Sequence, residues 1–563
     1  MRRLVLLSLA MIGFVAAKAQ TVVTITDADL QPNQTYNWTK DNIYLLDGFV
    51  FVDSGATLNI EAGTVIQAKE TPTTGDNASA LIVASTAQIF ATGTADEPII
   101  FTSELDDVNN PSDLDETDRG LWGGLILLGP GTIGNTTPTT GIEGIPVSET
   151  RAIYGGNDDD NNVGTLQYVS IRHGGAALSP GDEINGLTLG GVGSQTTLEH
   201  IEVFANSDDG VEFFGGKPEL KWAITAFCGD DAFDWDTGFQ GKGQFWLVVQ
   251  ATDAADNGAE QDGAKPDDNP RFAAPTIYNA TYIGGGANTP VQGDFANTNA
   301  LYFRDGTGGY YGNSIFTDFA QKAIEVEDLE ASKGVDSRQR MENGELSLEN
   351  NLWFGFGNFT ALNADPATGI IRFTPGGEDT TCQFLIDHLA NNGNQLVDPQ
   401  LRGISRTAGS KGLDPRPQAA EATTGLAAYP TGDDFFTATG YKGAFNPAFS
   451  TTWAHGWTAL DEYGYLAEPT GINALTEAGF VLNQNQPNPA DAATIITFEL
   501  PETADINVYV TDITGRIVKE VVNGTFNAGT HNATINTADL QAGVYFYTLA
   551  VGNSQITKKM IVQ

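Results

Sequence analysis

The sequence predicts an all-β protein, built as a right-handed parallel β-helix (a solenoid) followed by a small C-terminal β-sandwich. Three observations predict this class. Glycine is abundant, with 65 residues among 563, and Asn, Asp and Thr crowd the runs between apolar segments. Short segments alternate apolar and polar residues, as half-buried strands do. These segments recur at intervals of roughly 20–30 residues, which is typical of repeats that stack to share one core.

The charge of the chain argues against several classes of partner. It contains 28 Lys and Arg against 71 Asp and Glu, which gives a formal net charge of −43. A protein that binds nucleic acid replaces counterions on phosphate with basic side chains, so we expect no nucleic-acid partner. Docking on an anionic lipid surface is disfavoured for the same reason. Since only 18% of the residues are charged and 40% are hydrophobic, the chain is not a disordered acidic polymer.

Residues 1–19 have the pattern of a secretory signal peptide. A positively charged start precedes an apolar run over residues 4–17, and Ala19 ends a small-x-small cleavage site. Cleavage there would leave Gln20 as the mature N-terminus. The apolar run is shorter than the roughly 20 residues that a transmembrane helix needs. No other stretch is long and apolar enough, so we expect a secreted protein without a transmembrane segment.

The body of the protein, residues 20–468, is predicted to be the β-helix with its C-terminal cap. Residues 55–66 alternate apolar and polar side chains around a glycine turn. Residues 166–171 match residues 198–203, thirty-two positions later. One short helix is predicted near residues 382–390, because its apolar residues recur at helical spacing.

Cys228 and Cys382 are the two cysteines of the chain, which is too few for a disulfide framework. In an oxidising compartment these two thiols could pair. Two free buried thiols are the equal alternative, because spacing along the chain does not place the Cα atoms within bonding distance.

The clearest repeat of the body is acidic. Residues 208–213 (DDGVEF) are followed 22 positions later by residues 230–235 (DDAFDW). As successive rungs, these segments place Glu212 and Asp234 one above the other, about 4.8 Å apart. Glu260 would extend the column, and the leading Asp pairs would stack at the neighbouring corner. We call the predicted set the acidic ladder: Asp208, Asp209, Glu212, Asp230, Asp231 and Asp234.

A bound cation is the first interpretation of the acidic ladder. Like carboxylates at rung spacing repel unless they are protonated or share a cation. Calcium takes six to eight oxygen ligands, which paired Asp side chains, Asn side chains and backbone carbonyls at a corner can supply. The sequence therefore predicts Ca²⁺ as the candidate cofactor, with all six residues of the acidic ladder as ligands.

Catalysis is the second interpretation. A lone Asp followed about 22 residues later by an Asp pair is similar to the pattern of polygalacturonase-like glycoside hydrolases, in which one carboxylate protonates the leaving oxygen and others activate water. The resemblance implies Asp208, Asp230 and Asp231 as catalytic residues. The chain departs from that pattern, because no Gly-His-Gly or Arg-Ile-Lys follows on later rungs and His173 lies upstream. We therefore favour a protein that is not an enzyme.

The third interpretation assigns the acidic ladder no ligand. Asp and Asn side chains accept hydrogen bonds from local backbone N–H groups and tolerate tight turns, so they are favoured at the corners of a β-helix. The acidic residues would then form a solvated face. This interpretation is compatible with a bound calcium.

Two aromatic residues stand near the end of the body. We predict that Trp453 and Trp457 pack in the core or in the end cap. Exposed rings would instead suit stacking on a carbohydrate.

The last 80 or so residues contain short alternating runs separated by turn signals, which predict a small antiparallel sandwich. Four motifs lie within them: PNP at 487–489, DITGRIV at 512–518, LQAGVY at 540–545 and KKMIV at 558–562. Together they resemble the type A C-terminal sorting domain of the type IX secretion system, which belongs to Bacteroidota.

This resemblance implies that residues 481–563 are a sorting domain, reached through a linker at residues 469–480. It also implies export across the outer membrane, with the type IX secretion machinery as a partner. The residues that the motifs assign to the sorting signal are Gly515, Arg516, Gly543, Tyr545, Lys558 and Lys559.

The body carries a second resemblance. Residues 183–193, 208–216 and 230–236, with Trp122 upstream and residues 441–457 downstream, are similar to a family of secreted Bacteroidota β-helix proteins of unestablished activity. We therefore predict a non-catalytic β-helix scaffold for binding or adhesion, displayed at the cell surface and stabilised by calcium. Its expected partner is a carbohydrate or another surface molecule. The alternative is a polysaccharide-degrading hydrolase or lyase on the same β-helix.

Overall fold

The computed structural model describes residues 20–178, 183–289, 299–449, 451–468, 479–512, 516–538, 540–551 and 554–563. Within these ranges the protein consists mostly of strands and turns. The predicted signal peptide with Ala19 lies outside them, as do Gly515 and residues 469–478 of the predicted linker. No helix of the described part is long and apolar enough to cross a membrane.

The described body contains 32 strands and three α-helices. Its first strands are β1 (Thr21–Ile25), β2 (Thr35–Trp38), β3 (Asn42–Leu46), β4 (Phe49–Val52), β5 (Thr57–Ile60), β6 (Val65–Ala68), β7 (Ala80–Val83), β8 (Gln88–Thr92), β9 (Ile99–Ser103) and β10 (Leu125–Leu128). The middle contains β11 (Thr140–Gly141), β12 (Ile153–Tyr154), β13 (Gly164–Arg172), β14 (Leu187–Gly190), β15 (Thr197–Phe204), β16 (Val211–Phe214), β17 (Glu219–Ala226), β18 (Phe233–Asp236), β19 (Lys242–Val249) and β20 (Ala259–Asp262).

The last part of the body contains β21 (Thr276–Tyr278), β22 (Thr281–Ile283), β23 (Asn299–Arg304), β24 (Gly309–Gly312), β25 (Ile315–Phe319), β26 (Lys322–Val326), β27 (Leu346–Glu349), β28 (Leu352–Phe356), β29 (Ile371–Arg372), β30 (Gln395–Leu396), β31 (Gly403–Ile404) and β32 (Leu413–Asp414). The α-helices are α1 (Ser337–Glu342), α2 (Gln383–Asn391) and α3 (Ala459–Glu462). Short 3-10 helices span Asp27–Asp29, Thr150–Ala152 and Ala420–Thr423.

Parallel pairing arranges these strands into the three faces of a β-helix. The first face runs from β2, β5 and β8 through the N-terminal halves of β13, β15, β17 and β19 to β21, β24 and β27. The second face runs from β1, β3, β6 and β9 through the C-terminal halves of the same four strands to β22, β25, β28 and β30. The third face is a ten-stranded sheet from β4 to β29. The predicted parallel β-helix is confirmed.

Apolar side chains stacked from rung to rung fill the interior between the faces. One continuous core extends from Ile25 to Leu389. Within it, the rings of Phe233 and Trp246 stack with centroids 4.3 Å apart, and both are fully buried. Because a single rung cannot bury its own apolar face, stability comes from this stacking of neighbours.

One left-handed residue in each long central strand bends the chain from the first face to the second. Tyr168, His200, Trp222 and Phe245 occupy this position, with φ between 50° and 61°. Their rings form a stack that we call the aromatic column, with successive centroids 4.2, 4.6 and 5.8 Å apart. At the next three rungs the same position is taken by Asn279, Asn313 and Asn350.

The C-terminal part of the body, residues 420–466, runs back along this corner, and we call it the strap. The side chain of Asn313 accepts a hydrogen bond from the backbone N–H of Ala427 at 2.7 Å and donates one to its carbonyl at 3.0 Å. Near the end of the strap, the backbone N–H of Ala459 donates to the buried carboxylate of Glu202 at 2.6 Å. The strap is therefore fastened to rungs that are distant in sequence.

Two local predictions have clear outcomes. The predicted helix near residues 382–390 is confirmed as α2, whose Leu385 and Leu389 are buried in the core. Cys228 and Cys382 are both buried and unpaired, so the alternative of two free thiols is correct.

The C-terminal unit contains β33 (Val481–Leu482), β34 (Ala493–Leu500), β35 (Ala504–Thr511), β36 (Ile517–Phe526), β37 (Gly529–Asn536), β38 (Gly543–Val551) and β39 (Ser554–Val562). These strands form two antiparallel sheets, β33-β34-β37 and β36-β35-β38-β39. Alternate side chains such as those of Phe498, Val508 and Tyr547 build a core separate from that of the body. The predicted small antiparallel unit is confirmed.

Candidate metal centre

The third face carries a column of acidic side chains. Glu212 in β16 is paired with Asp234 in β18, which is paired with Glu260 in β20. The neighbouring Phe213 and Trp235 are fully buried in the core. Because successive side chains of a strand point to opposite sides, the acidic residues face outward. The predicted stacking of Glu212 over Asp234, with Glu260 as the next member, is confirmed.

The corner between the second and third faces carries two further columns. The outer column, whose members are half-buried, contains Asp208, Asp230 and Asp256. In the buried inner column, Oδ1 of Asp209 accepts a hydrogen bond from the backbone N–H of Asp231 at 2.9 Å. Oδ1 of Asp231 accepts in turn from the backbone N–H of Asn257. The corner hydrogen bonding of the third interpretation is therefore present.

Backbone capping alone does not explain the charge of the inner column. Ladder hydrogen bonds place Asn185 one rung before Asp209, and Asn257 and Asn299 on the rungs after Asp231. An amide oxygen accepts the same backbone hydrogen bond as a carboxylate oxygen does. Asn would therefore suffice at all five rungs. The two Asp residues add negative charge on the rungs where the third face is also acidic.

Three overlapping groups of carboxylates lie close together. In each group the three residues place one oxygen apiece within 4.8 Å of one another. The groups are Asp208, Asp209 and Asp230; Asp209, Glu212 and Asp234; and Asp230, Asp231 and Asp256. Shared members join them into one continuous arrangement, which contains the whole acidic ladder and Asp256. We call these seven residues the acidic site.

The negative charges of the acidic site destabilise one another. Two unit charges about 5 Å apart repel by about 3 kcal/mol at an effective dielectric constant of about 20. Burial and the nearby carboxylate of Asp230 raise the pKa of Asp208 to about 7. Burial and neighbouring carboxylates also raise the pKa of Asp230 to about 6. For the same two reasons the pKa is raised well above its usual range in Asp209, Glu212, Asp231 and Asp234.

Basic side chains form ion pairs at the edge of this acidic region. Among the described residues, no Lys or Arg forms an ion pair with a member of the acidic ladder. Arg304 is paired with Glu260 at 2.8 Å and with Asp262 at 2.5 Å. Lys265 is paired with Asp236 at 2.7 Å. The protein's own cations therefore neutralise the neighbouring rung, whereas the carboxyl groups of the acidic ladder face one another.

Several buried oxygens beside the acidic ladder make no hydrogen bond to any part of the chain that the structure describes. They include Oδ1 of Asp234, Oδ1 of Asn185 and Oδ1 of Asn206. Asn185 is only 3% exposed, and its amide nitrogen donates to the carboxylate of Glu212, which fixes the residue against the ladder. A buried acceptor without a partner costs about 1–3 kcal/mol. A hard cation would satisfy such oxygens.

Asp208, Asp230 and Asp231, the residues of the catalytic interpretation, also lie close together at this corner. One oxygen each of Asp208 and Asp231 lies within 4.8 Å of an oxygen of Asp230. The carboxyl groups of inverting hydrolases stand about 6.5–9.5 Å apart, which leaves room for a water molecule. Asp231 is only 4% exposed, and its Oδ1 is bonded to the backbone. His173 lies elsewhere, with Nδ1 2.7 Å from the backbone oxygen of Asp118.

The predicted ligand set omitted two residues that the structure adds. Asp256 belongs to one of the three groups, and Asn185 is held against Glu212. Both residues lie in corner motifs that the sequence shows. Asn185-Gly186 and Asp256-Asn257-Gly258 resemble the Asp-Asp-Gly corner at residues 208–210.

The predicted sorting-signal residues lie in the C-terminal sheets as far as these are described. Gly543, Tyr545, Lys558 and Lys559 belong to the paired strands β38 and β39. Arg516 directly precedes β36, and its guanidinium is 3.0 Å from the carboxylate of Asp512. Their role in sorting stays a prediction.

Comparison with known protein families agrees with both units. A family described as a Pectate-lyase like beta helix domain matches residues 31–365, which is more than half of the chain. A family described as a Secretion system C-terminal sorting domain matches residues 486–563. No curated protein matches the chain. The chain therefore belongs to the Pectate-lyase like beta helix domain family, and its type IX sorting domain makes it a secreted protein exported to the cell surface or beyond.

Proposed function

We propose that the body is a non-catalytic binding scaffold, displayed at the cell surface and stabilised by calcium at the acidic site. The observation that carries this proposal is the overlap of three carboxylate groups on adjacent rungs, in each of which three carboxylate oxygens lie within 4.8 Å of one another. A solenoid presents an extended and rigid surface, as a scaffold requires. The sorting domain supplies the export route.

Calcium suits this site better than other common metal ions. The three groups consist of carboxylates alone, without His or Cys. Zinc prefers nitrogen and sulfur ligands, and magnesium demands near-octahedral geometry and keeps several waters. Calcium accepts six to eight oxygens in irregular arrangements. Oδ1 of Asp234 and Oδ1 of Asn185 are available as ligands.

Calcium titration of the mature protein tests this proposal. We expect binding with release of protons, because carboxyl groups such as that of Asp208, with a pKa of about 7, must ionise to coordinate the ion. The measurement is isothermal titration calorimetry in buffers of different ionisation enthalpy, which counts the protons.

The variant Asp230→Asn/Asp231→Asn is expected to lose this binding, because it removes one ligand charge from each of two neighbouring columns. The control is Asp96→Asn/Asp434→Asn, which makes the same charge change at two exposed positions. Equal calcium binding by the two variants would contradict the assignment.

A polysaccharide-degrading enzyme is the second candidate, favoured by the meeting of Asp208, Asp230 and Asp231 at one corner. We expect no product when the mature protein is incubated with calcium and a panel of plant, algal and microbial polysaccharides. Mass spectrometry of released oligosaccharides is the measurement. A product from one glycan that disappears in Asp230→Asn would make the enzyme the leading function.

A further inference from the structure

A cavity of about 580 Å³ lies between the strap and the aromatic column. The column contributes Trp222 and Phe245 to its wall, and the strap contributes Tyr441, Phe445 and Trp453. Its volume lies within the range of about 300–1,000 Å³ that is usual for ligand pockets. It occupies the corner between the first and second faces, whereas the acidic site occupies the corner between the second and third.

Hydrogen bonds between the strap and the β-helix form the cavity without help from a ligand. The side chain of Gln244 accepts from the backbone N–H of Thr437 and donates to its carbonyl, both at 2.8 Å. Nδ2 of Asn279 donates to the backbone carbonyl of Tyr441 at 2.9 Å. A pocket whose walls are fixed in advance loses little conformational entropy on binding.

Aromatic rings extend from the floor of the cavity to its rim. Trp453 is half-buried and stacks on the buried Phe445, with centroids 4.9 Å apart. Trp457 is 2% exposed and packs beneath, with its ring 5.9 Å from that of His200. The prediction that Trp457 packs in the cap is correct. Phe449 stands at the rim and is 38% exposed.

The polar part of the lining is neutral. No charged side chain lines the cavity among the described residues, although 18% of the chain is charged. Lys221 lies beside Trp222, but its ammonium group donates to the carbonyl of Phe435 at 2.6 Å and to Oγ1 of Thr437 at 2.9 Å. The hydroxyl and amide groups of the lining belong to Thr423, Thr437, Thr439, Thr451, Tyr441 and Asn446.

We propose that this cavity binds a short stretch of a neutral glycan, an inference that rests on the proposed scaffold function and supplies its ligand class. A sugar ring offers an apolar C–H face to aromatic rings and hydroxyl groups to Thr and Asn side chains. An acidic glycan would bring charge into a lining without a counter-cation, in a protein of net charge −43. A hydrocarbon chain would leave the hydroxyl and amide groups unused.

The test is titration of the mature protein with neutral hexasaccharides of glucose, mannose and xylose, with hexagalacturonate as the acidic counterpart. Tryptophan fluorescence reports binding, because Trp222 and Trp453 line the cavity. We expect at least one neutral hexasaccharide to bind, and hexagalacturonate to bind at least about tenfold more weakly.

Three variants at exposed aromatic positions locate the site. Phe449→Ala is expected to weaken binding about fivefold to tenfold, because one stacking ring is lost. Phe449→Tyr keeps the ring and is expected to keep the affinity. Phe354→Ala is the matched control, because Phe354 is 41% exposed and lies outside the cavity.

Absence of binding to every neutral hexasaccharide would overturn the proposal. Equal affinity for hexagalacturonate would also overturn it, as would an unchanged affinity of the Phe449→Ala variant. Each of these results leaves the calcium titration unchanged. Failure of the cavity and failure of the calcium-stabilised scaffold are therefore distinguishable.

Discussion

Chelation of calcium is expected to lower the melting temperature of the mature protein by about 2–4 °C. A ligand at about 100 times its dissociation constant stabilises the folded state by about 2.7 kcal/mol. The entropy of unfolding is about 2.1 cal/mol/K per residue, so one kcal/mol corresponds to about 1 °C in a body of about 450 residues. Without the ion, the closely spaced carboxyl groups of the acidic ladder repel one another or must hold protons. Calorimetry in EDTA and in excess calcium measures the difference.

The double variant Asp230→Asn/Asp231→Asn should remove this sensitivity without unfolding the protein. Its amide oxygen at position 231 can still accept the hydrogen bond from the backbone N–H of Asn257, because an amide oxygen accepts as a carboxylate oxygen does. In EDTA we expect the variant to melt no lower than the unchanged protein, because two repelling charges are gone. The control Asp96→Asn/Asp434→Asn should keep the full response. If the unchanged protein melts at the same temperature in EDTA and in excess calcium, no stabilising ion is bound.

The rungs of the β-helix were predictable because their signal is local. Residues 166–171 and 198–203 share an alternating pattern, and the structure pairs Leu166 with Leu198 and Val169 with Ile201. Glycine and Asx residues mark the corners, where the chain must turn. Stacking follows from the need of each rung to bury its apolar face.

The strap was not predictable from such signals. Its residues lack a strand or helix period, and they are fastened by side chains that contact backbone groups far away in sequence. Asn313 and Ala427 are 114 positions apart, and Glu202 and Ala459 are 257 positions apart. The cavity between the strap and the aromatic column was not predictable either, because its walls come from two segments that are distant in sequence.

The stacked columns of the candidate site were predicted from the sequence, but two of its members were missed. The step of 22 residues fixed the stacking of Glu212 over Asp234, which the register confirms. Asp256 begins the next repeat, which follows after 26 residues and has Asp-Asn in place of the Asp pair. Asn185 was left out because a neutral side chain gives no charge signal. Its part depends on a contact with Glu212 that only the fold reveals.

In the absence of calcium, the free energy of unfolding is expected to fall as pH rises from about 6.5 to 8.5. Burial raises the pKa of Asp208 from 3.8 to about 7 and that of Glu260 from 4.5 to about 8. In this range the folded protein therefore holds protons that the unfolded chain has lost. Stability declines with pH wherever the folded state binds more protons. Each unit of pKa difference corresponds to about 1.4 kcal/mol.

The range begins at about pH 6.5 because buried histidines act in the opposite direction below it. Burial lowers the pKa of His200 to about 4, so His200 adds stability as pH rises towards about 6.5 and changes little beyond. Calcium competes with these protons, so its stabilising effect should grow across the range as the carboxyl groups ionise. Urea unfolding at pH 6.5, 7.5 and 8.5, with EDTA or with calcium, measures both trends. In EDTA, the free energy of unfolding of the Asp230→Asn/Asp231→Asn variant should change less with pH. If the free energy of unfolding of the unchanged protein rises with pH in EDTA, the buried carboxyl groups do not hold protons as inferred.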